Sequence, residues 1–316
     1  MLSSSASTMF SDLEVEITPD APIGPMTWYG IGGHADILIR PLTIEALTTL
    51  VMRCRRTRSD LRVFGKGANL LVADDGVSGI VITLDTPAFR EITYNAEGDV
   101  HTMRAMAGAD MAATLMDATR RGLEGLSQMA GIPASIGGAI RMNAGGKYGC
   151  IGDAIETVTC IGRNGELVTY PKSELTFTYR QTNIPDPIII AATFRVTPTD
   201  PIALREKVKD IFSYKKSTQP LADHSAGCTF KNPIDPETGE FIPAGKLIDR
   251  AGLKGYCIGG ATVSTHHANF IVTNPSATAS DVMRLLAEVR KRVFDHSGIQ
   301  LEQEVVIWRR KEEDTA

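Results

Sequence analysis

Apolar positions along this chain change their spacing several times, and each change marks an element. From Thr43 onward Leu47, Leu50, Val51 and Cys54 recur at helical spacing, and basic residues close the run as a helix C-terminus favours. The ILI of DILIRP before it reads as a strand. After it, LRVFG and GIVITL read as short strands flanking GKGANLLVADDG, a β-α-β beginning with Gly65 closing LRVFG. Asp110 can cap a helix, MAATLMDATRR, that stops at Gly122. IETVTCI and ELVTY lie either side of Arg163-Asn164-Gly165, whose Asn-Gly pair signals a tight hairpin. PIIIAATFRV is apolar without alternation, the mark of a strand buried on both faces. Pro198 and Pro201 then mark a boundary. Residues 203–214 suggest a helix, and Ser280 caps another, with Val282, Leu285, Leu286, Val289 and Val293 on one face and Gly298 closing it. LEQEVVIW reads as the last strand. The pattern predicts an α+β protein in three parts, 13–86, 87–198 and 199–308, between disordered polar ends at 1–12 and 309–316.

Composition narrows the class. Apolar residues make up 43% of the 316 and charged residues 22%, as in ordinary globular proteins. A net charge of −4 gives no basic footprint for nucleic acid or an anionic membrane. The start, MLSSSASTMF, has neither the basic residues nor the apolar core of a signal peptide. The longest apolar runs, such as IIIAATF at 188–194, are strand-sized and far short of the ~20 residues of a membrane span. Cysteines at 54, 150, 160, 228 and 257 are odd in number and in no CxxC spacing, which predicts reduced thiols and a cytoplasmic protein.

Candidate chemistry gathers in the glycines. GLEGLSQMAGIPASIGGAIRMNAGGKYG, from Gly122 to Gly149, carries glycine at 122, 125, 131, 137, 138, 145, 146 and 149. Ordinary usage of ~7% gives about two in such a length. Structural turns and a seat for a large flat cofactor explain this equally well. Gly65-Lys66-Gly67-Ala68-Asn69 follows a strand and could present N–H groups to a pyrophosphate, with Lys66 neutralising it. Two commoner nucleotide patterns fail. Gly30-Ile31-Gly32-Gly33-His34-Ala35 precedes a strand instead of following one, and Lys147 is followed by Tyr148 where a P-loop needs Ser or Thr. Asp223, His224 and Ser225 are consecutive and cannot form a triad. The six histidines show no metal-ligand spacing, so no metal is expected. Arg180 in FTYRQTN, Cys228 in SAGCTFKNP and Glu304 in the last strand, with Glu302 on the same face, stand in unusual contexts. Taken singly, each reads more readily as a structural residue.

Together these strings resemble a known family. GIGGHAD, VFGKGANLLV, the glycine-rich stretch, FTYR, AGCTFKNP, AGKLIDRAGLKG, HHANFIV and LEQEV occur in the order found in the UDP-N-acetylenolpyruvoylglucosamine reductases, over residues 22–308. The resemblance implies a two-part FAD-binding domain of the vanillyl-alcohol-oxidase (PCMH) type, with a C-terminal α+β substrate domain. It implies a cytoplasmic, monomeric flavoenzyme that uses FAD and NADPH to reduce UDP-N-acetylglucosamine enolpyruvate in peptidoglycan precursor synthesis. The phosphate loop maps to Gly65, Lys66, Gly67, Ala68, Asn69 and Leu70. The flavin platform maps to Gly131, Ile132, Pro133, Ser135, Gly137 and Gly138, with Asn143 and Ala144 behind. Arg180 matches the catalytic arginine, Cys228 the proton donor and Glu304 the catalytic glutamate; Lys216, Asn232 and Asn269 match substrate contacts.

The family's reaction is ping-pong. NADPH reduces the flavin and leaves, hydride passes to C3 of the enol ether, and a protonated group supplies H⁺ at C2. Several positions depart from the family pattern. The donor is more familiar as serine, and cysteine, with an ordinary pKa of ~8.5, is the stronger acid. Ala68 lacks a serine hydroxyl, Ala134 replaces a glycine, and NAGGKYG is one residue longer than usual. Few residues separate Tyr179-Arg180 from IIIAATF, which matches the shorter subgroup lacking a tyrosine-bearing closing loop. An FAD-dependent oxidase of another sugar or alcohol, and a non-catalytic flavin- or nucleotide-sugar-binding protein, are the alternatives.

Overall fold

The computed structural model describes residues 9–162, 164–235 and 238–310. In chain order its first strands are β1 (Val15–Ala21), β2 (Ala35–Pro41), β3 (Leu61–Phe64), β4 (Leu70–Val72), β5 (Val77–Thr83), β6 (Ile92–Tyr94), β7 (Thr102–Met106), β8 (Leu123–Glu124), β9 (Gly145–Gly146) and β10 (Gly149–Cys150). There follow β11 (Ile155–Ile161), β12 (Leu167–Pro171), β13 (Phe177–Thr178), β14 (Gln181–Thr182), β15 (Ile188–Arg195), β16 (Thr197–Pro198), β17 (Cys257–Ile258), β18 (Ala261–Val263), β19 (Ile271–Thr273) and β20 (Val306–Trp308). The α-helices are α1 (Ile44–Arg56), α2 (Met111–Arg120), α3 (Ile136–Arg141), α4 (Pro201–Thr218), α5 (Ala244–Arg250) and α6 (Ala279–Ser297).

The chain divides into two compact units, each assembled from separate stretches. Of the described residues, the first takes those within 9–20, Asp36–Lys66 and Gly79–Lys215; the second takes those within Ala21–Ala35, Gly67–Ser78 and 216–310. Helix α4 therefore stays with the first unit through Lys215, past the expected break at 198/199.

In the first unit a four-stranded sheet runs β1-β2-β5-β3, with β3 and β5 parallel. Thr43 caps α1 by accepting from Ala46 N–H, and the helix buries Leu47, Leu50, Val51 and Cys54. A second sheet runs β12-β11-β15-β7-β6, and each of its pairings is antiparallel. Its central strand β15 is buried on both faces, as its unbroken apolar run predicts. Both sheets contribute to one core, with Ile37, Ile82, Met103, Val158 and Phe194 among its members. Phe10 also belongs to that core and is 0% exposed, while Arg53 pairs with Asp12. Met9 and Phe10 thus pack on the core and Asp12 is paired at the surface, contrary to the expected tail; residues 1–8, 311–316 and Arg163 lie outside the described residues.

In the second unit β17-β18-β19 form a sheet, and β4 pairs in parallel with β20, Leu70 opposite Val306. Helix α6 buries Val282, Leu285, Leu286, Val289 and Val293, and Gly298 ends it in the left-handed conformation at φ 69°. Its cap is Thr278, in a reciprocal box with Asp281, instead of the expected Ser280. Ser280 is two residues further in, where its N–H and hydroxyl both donate to Asp74. The Gly30–Gly33 stretch is a packing device. A Cβ on Gly32 would sit 2.1 Å from the Val72 carbonyl oxygen, which accounts for glycines placed before a strand. The expected strand LEQEVVIW begins only at Val306, because 302–304 instead pair with residues 229–231.

Candidate functional site

In the first unit Gly65, at the start of the first glycine-rich motif, meets the Gly122–Gly149 stretch. Strand β3 ends at Phe64, and Gly65 brings the backbone so near α3 that a Cβ would lie 2.8 Å from Ser135 Oγ. Ser135 caps α3, its hydroxyl accepting from Gly138 N–H at 3.3 Å. Gly137 packs where a Cβ would come within 2.9 Å of Ala107 Cβ, and it donates its N–H to the Ala107 carbonyl. Asp110 joins these pieces. It caps α2 by accepting from Ala113 N–H, bridges to Ser135 and holds Lys66 Nζ at 2.7 Å. Burial pushes the Asp110 carboxyl up, but Lys66 and the Ala113 N–H outweigh it and hold it below its ordinary value. The Lys66 charge is therefore already answered by a carboxylate.

Arg180 sits at the tip of a two-residue hairpin. Phe177 pairs with Thr182 and Thr178 with Gln181, which leaves Tyr179 and Arg180 as the turn. Arg180 adopts φ 58°, a left-handed conformation that costs a side-chain-bearing residue roughly 1–2 kcal/mol. Its Nη1 donates to the Gly145 carbonyl at 3.1 Å, and its guanidinium lies 5.4 Å from the Tyr179 ring centre. Gly145 begins the β9–β10 hairpin, whose turn is Lys147-Tyr148 in the lengthened NAGGKYG segment. Tyr148 meets Tyr214 of α4 edge-on at 5.7 Å, and Lys147 Nζ lies over the Tyr214 ring at 4.7 Å.

Lys215 is the functional candidate that sequence reasoning missed. It is buried, and its Nζ donates to the Ala130 carbonyl at 2.6 Å, at the threshold of the expected flavin platform. Burial, with the Arg180 charge as a lesser cause, draws its pKa down to about 8. The signal was in the periodicity. Leu204, Val208, Ile211 and Lys215 form the buried face of α4, and neighbouring Lys216 lies off that face and is exposed.

In the second unit the segment Cys228–Lys231 lies between two others. Cys228 bridges to Phe270, and Thr229 N–H and Oγ1 both donate to the Asn269 carbonyl. On the other side Glu304 N–H donates to the Thr229 carbonyl at 2.8 Å and Lys231 N–H to that of Glu302. Cys228 and Glu304 are thereby fixed to the same residue. Asn69 adds an anchor, its Nδ2 donating to the Glu304 carbonyl at 3.2 Å. Glu304 is half-buried, whereas Glu302 is exposed and pairs with Lys231 at 2.5 Å, so the two carboxylates do not share a role.

The remaining expected residues separate into surface and scaffold. Asn232 Oδ1 accepts from Ala244 N–H at the start of α5. Asn269 is 2% exposed and gives both ends of its amide to Phe230, accepting from its N–H and donating to its carbonyl. That side chain is committed to shaping the backbone beside Cys228. Asn143 is likewise buried, and its amide is committed to Thr178 and Gly152. Ala144 and Ile132 pack against the core, and Leu70 is buried in β4. Arg180 belongs to the first unit, Cys228 and Glu304 to the second.

Residues 35–170 match the family described as FAD binding domain, and residues 219–308 match UDP-N-acetylenolpyruvoylglucosamine reductase, C-terminal domain. The chain is similar to the UDP-N-acetylenolpyruvoylglucosamine reductase of Desulfosudis oleivorans, 38% identical over 308 residues that cover 95% of this chain and 96% of that protein. Its counterpart in Moorella thermoacetica is 36% identical, covering 97% of this chain and 98% of that one. Among solved structures, the UDP-N-acetylenolpyruvylglucosamine reductase of Thermus caldophilus is 35% identical, with a TM-score of 0.76 over 93% of this chain and 98% of that one.

Proposed function

This chain belongs to the UDP-N-acetylenolpyruvoylglucosamine reductase family, and on that premise we propose which of its side chains carry the reaction. It is a flavin-dependent oxidoreductase that reduces UDP-N-acetylglucosamine enolpyruvate to UDP-N-acetylmuramate with NADPH, a step of peptidoglycan precursor synthesis. Bound FAD would supply the hydride chemistry between NADPH and C3 of the enolpyruvyl group.

The residues present fit that cofactor. Gly65 and Gly138 leave at the Ser135 hydroxyl a space that Cβ atoms would fill. Among the described residues, nothing in the protein accepts from the backbone N–H groups of Lys66, Gly67 or Ala68. We assign Gly65–Leu70 to the phosphates and Gly131, Ile132, Pro133, Ser135, Gly137 and Gly138 to the flavin. Backbone donors in the loop do what the absent serine hydroxyl at Ala68 does not.

The rest of the reaction falls to the chain. As C3 gains hydride, negative charge gathers towards the substrate carboxylate, and Arg180 holds it as a fixed cation. The Cys228 thiol gives its proton to C2 and is left as thiolate, to be reprotonated before the next turnover. Glu304 orients the reacting group by hydrogen bonding. Lys216 and Asn232 take the UDP-sugar, and Asn269 supports them from within. The protein works as a monomer in the cytoplasm, where its nucleotide-sugar substrate, its NADPH and its reduced thiols belong.

The observation that carries this reading is the joint at Thr229. Cys228 precedes it in the chain and Glu304 N–H is bonded to its carbonyl, so donor and carboxylate share one rigid piece of backbone. Stopped-flow measurement of the two half-reactions tests it. Cys228→Ser should keep much of the activity. Cys228→Ala should keep flavin reduction by NADPH and lose reoxidation by the enolpyruvyl substrate. Normal turnover of the alanine variant would place the proton donor elsewhere.

A further inference from the structure

Three alternate residues leaving α3 reach into the Arg180 hairpin. Arg141 donates from Nη1 to the Ile184 carbonyl at 3.1 Å and from Nη2 to that of Asp186. Asn143 donates from Nδ2 to the Thr178 carbonyl at 2.7 Å. Gly145 offers its carbonyl to Arg180 Nη1. The hairpin is thus tied before its turn, at its tip and beyond it by one short run of backbone.

Asn143 is the central tie. It is 4% exposed and sits at φ 41°, a left-handed conformation that asparagine tolerates better than most side chains. Its Oδ1 accepts from Gly152 N–H at 3.2 Å while its own N–H donates to the Ile140 carbonyl at 3.0 Å. The residue is therefore held at two points, one on its side chain and one on its backbone, before its Nδ2 reaches Thr178. Gly152 must be glycine for this fit, since a Cβ there would lie 2.6 Å from Phe177 and 2.8 Å from Asn143 Oδ1. Thr178 in turn pairs with Gln181 and flanks the turn that carries Arg180. Arg180 does not favour its left-handed backbone, so that conformation persists only where the surroundings impose it.

We propose that Asn143 is a positioning residue for Arg180, linking the flavin-seat helix to the catalytic hairpin, and that its side chain does not contact FAD. This rests on the role given to Arg180 above. A 1 Å displacement of a catalytic group costs on the order of 10²-fold in rate, and removing the Thr178 tie should release the hairpin by that much.

The test uses FAD-loaded full-length protein carrying Asn143→Gly, which keeps the backbone conformation without strain. Asn143→Asp is the second variant; it keeps the acceptor for Gly152 N–H and loses the donor to Thr178. Each is made alone and with Arg180→Ala. Expected are FAD affinity and visible spectrum within about twofold of wild type, and flavin reduction by NADPH likewise. Reoxidation by the enolpyruvyl substrate should slow on the order of 10²-fold. In the Arg180→Ala background the Asn143 change should add nothing, because residues acting through one another are not additive. Additive effects would overturn the proposal, as would weakened FAD binding or an altered flavin spectrum. Failure of both variants to load FAD would overturn it too. Normal reoxidation in the Asn143 variants beside slow reoxidation in Arg180→Ala would refute this inference alone. Normal reoxidation in Arg180→Ala would instead remove the role of Arg180 itself.

Discussion

Raising the pH should stabilise this protein through Lys215. Burial, helped by Arg180, draws its ammonium from 10.5 to about 8 in the folded state. Between those values the unfolded chain holds the proton and the folded protein does not, so stability rises with pH across that window. At about 1.4 kcal/mol per pH unit, the full penalty is about 3 kcal/mol, present below pH 8 and gone above 10.5. From about pH 7 to about pH 9.5, roughly 2 kcal/mol of it should lift. Lys215→Met keeps most of the volume and does not titrate. Its loss of the bond to Ala130 strands a buried carbonyl, at a cost of about 1–3 kcal/mol, and nearly cancels the relieved charge at neutral pH. The informative quantity is therefore the slope. Urea unfolding of wild type and variant, both FAD-loaded, at the two pH values should show the difference moving by about 2 kcal/mol in favour of wild type. A difference that stays flat would mean that the ammonium is still hydrated in the folded protein, and the argument from burial would fail.

Two further changes probe the frame around the site. Phe10→Ala should cost about 3–5 kcal/mol, because Phe10 is fully buried in the main core; a thermal midpoint equal to wild type would show that Phe10 does not pack there. Gly65→Ala forces Ser135 Oγ from its cap, so it should cost about 1 kcal/mol and weaken FAD binding in a fluorescence titration. Unchanged affinity and stability together would remove Gly65 from the cofactor seat.

Elements set by local chemistry were readable in the sequence. Asp110 caps the helix it precedes, Gly298 ends α6, and the unbroken apolar run of β15 lies at the centre of its sheet. What eluded sequence reading depends on partners distant in the chain. Ser280 looks like a cap until Asp74 engages it, and Thr278 takes the role. Residues 302–304 look like the start of a strand, but they bond to residues 229–231. Lys215 and Lys216 are equivalent by composition, and only the phase of α4 separates the buried one from the exposed one. Asn143 and Asn269 carry polar groups suited to ligands, and nothing local shows that backbone atoms remote in sequence already occupy them. The family's order of motifs offers the candidate site residues as a set. It does not separate side chains left open for a ligand from those, such as Asn143 and Asn269, already bonded to backbone.

The parallel pairing of β4 with β20 has a consequence for synthesis. Leu70, Leu71 and Val72 are buried in the finished protein, and their ladder partners Val306, Ile307 and Trp308 each lie 236 residues further along the chain. At ~5–20 residues per second, a ribosome takes on the order of ten to fifty seconds to pass from one strand to the other. Throughout that interval the nascent chain carries an apolar strand with an unfilled edge, the kind of segment that chaperones bind and that aggregation exploits. The β4–β20 ladder can form only once residues 306–308 have been made, so a chain that stops before residue 306 leaves β4 without its partner.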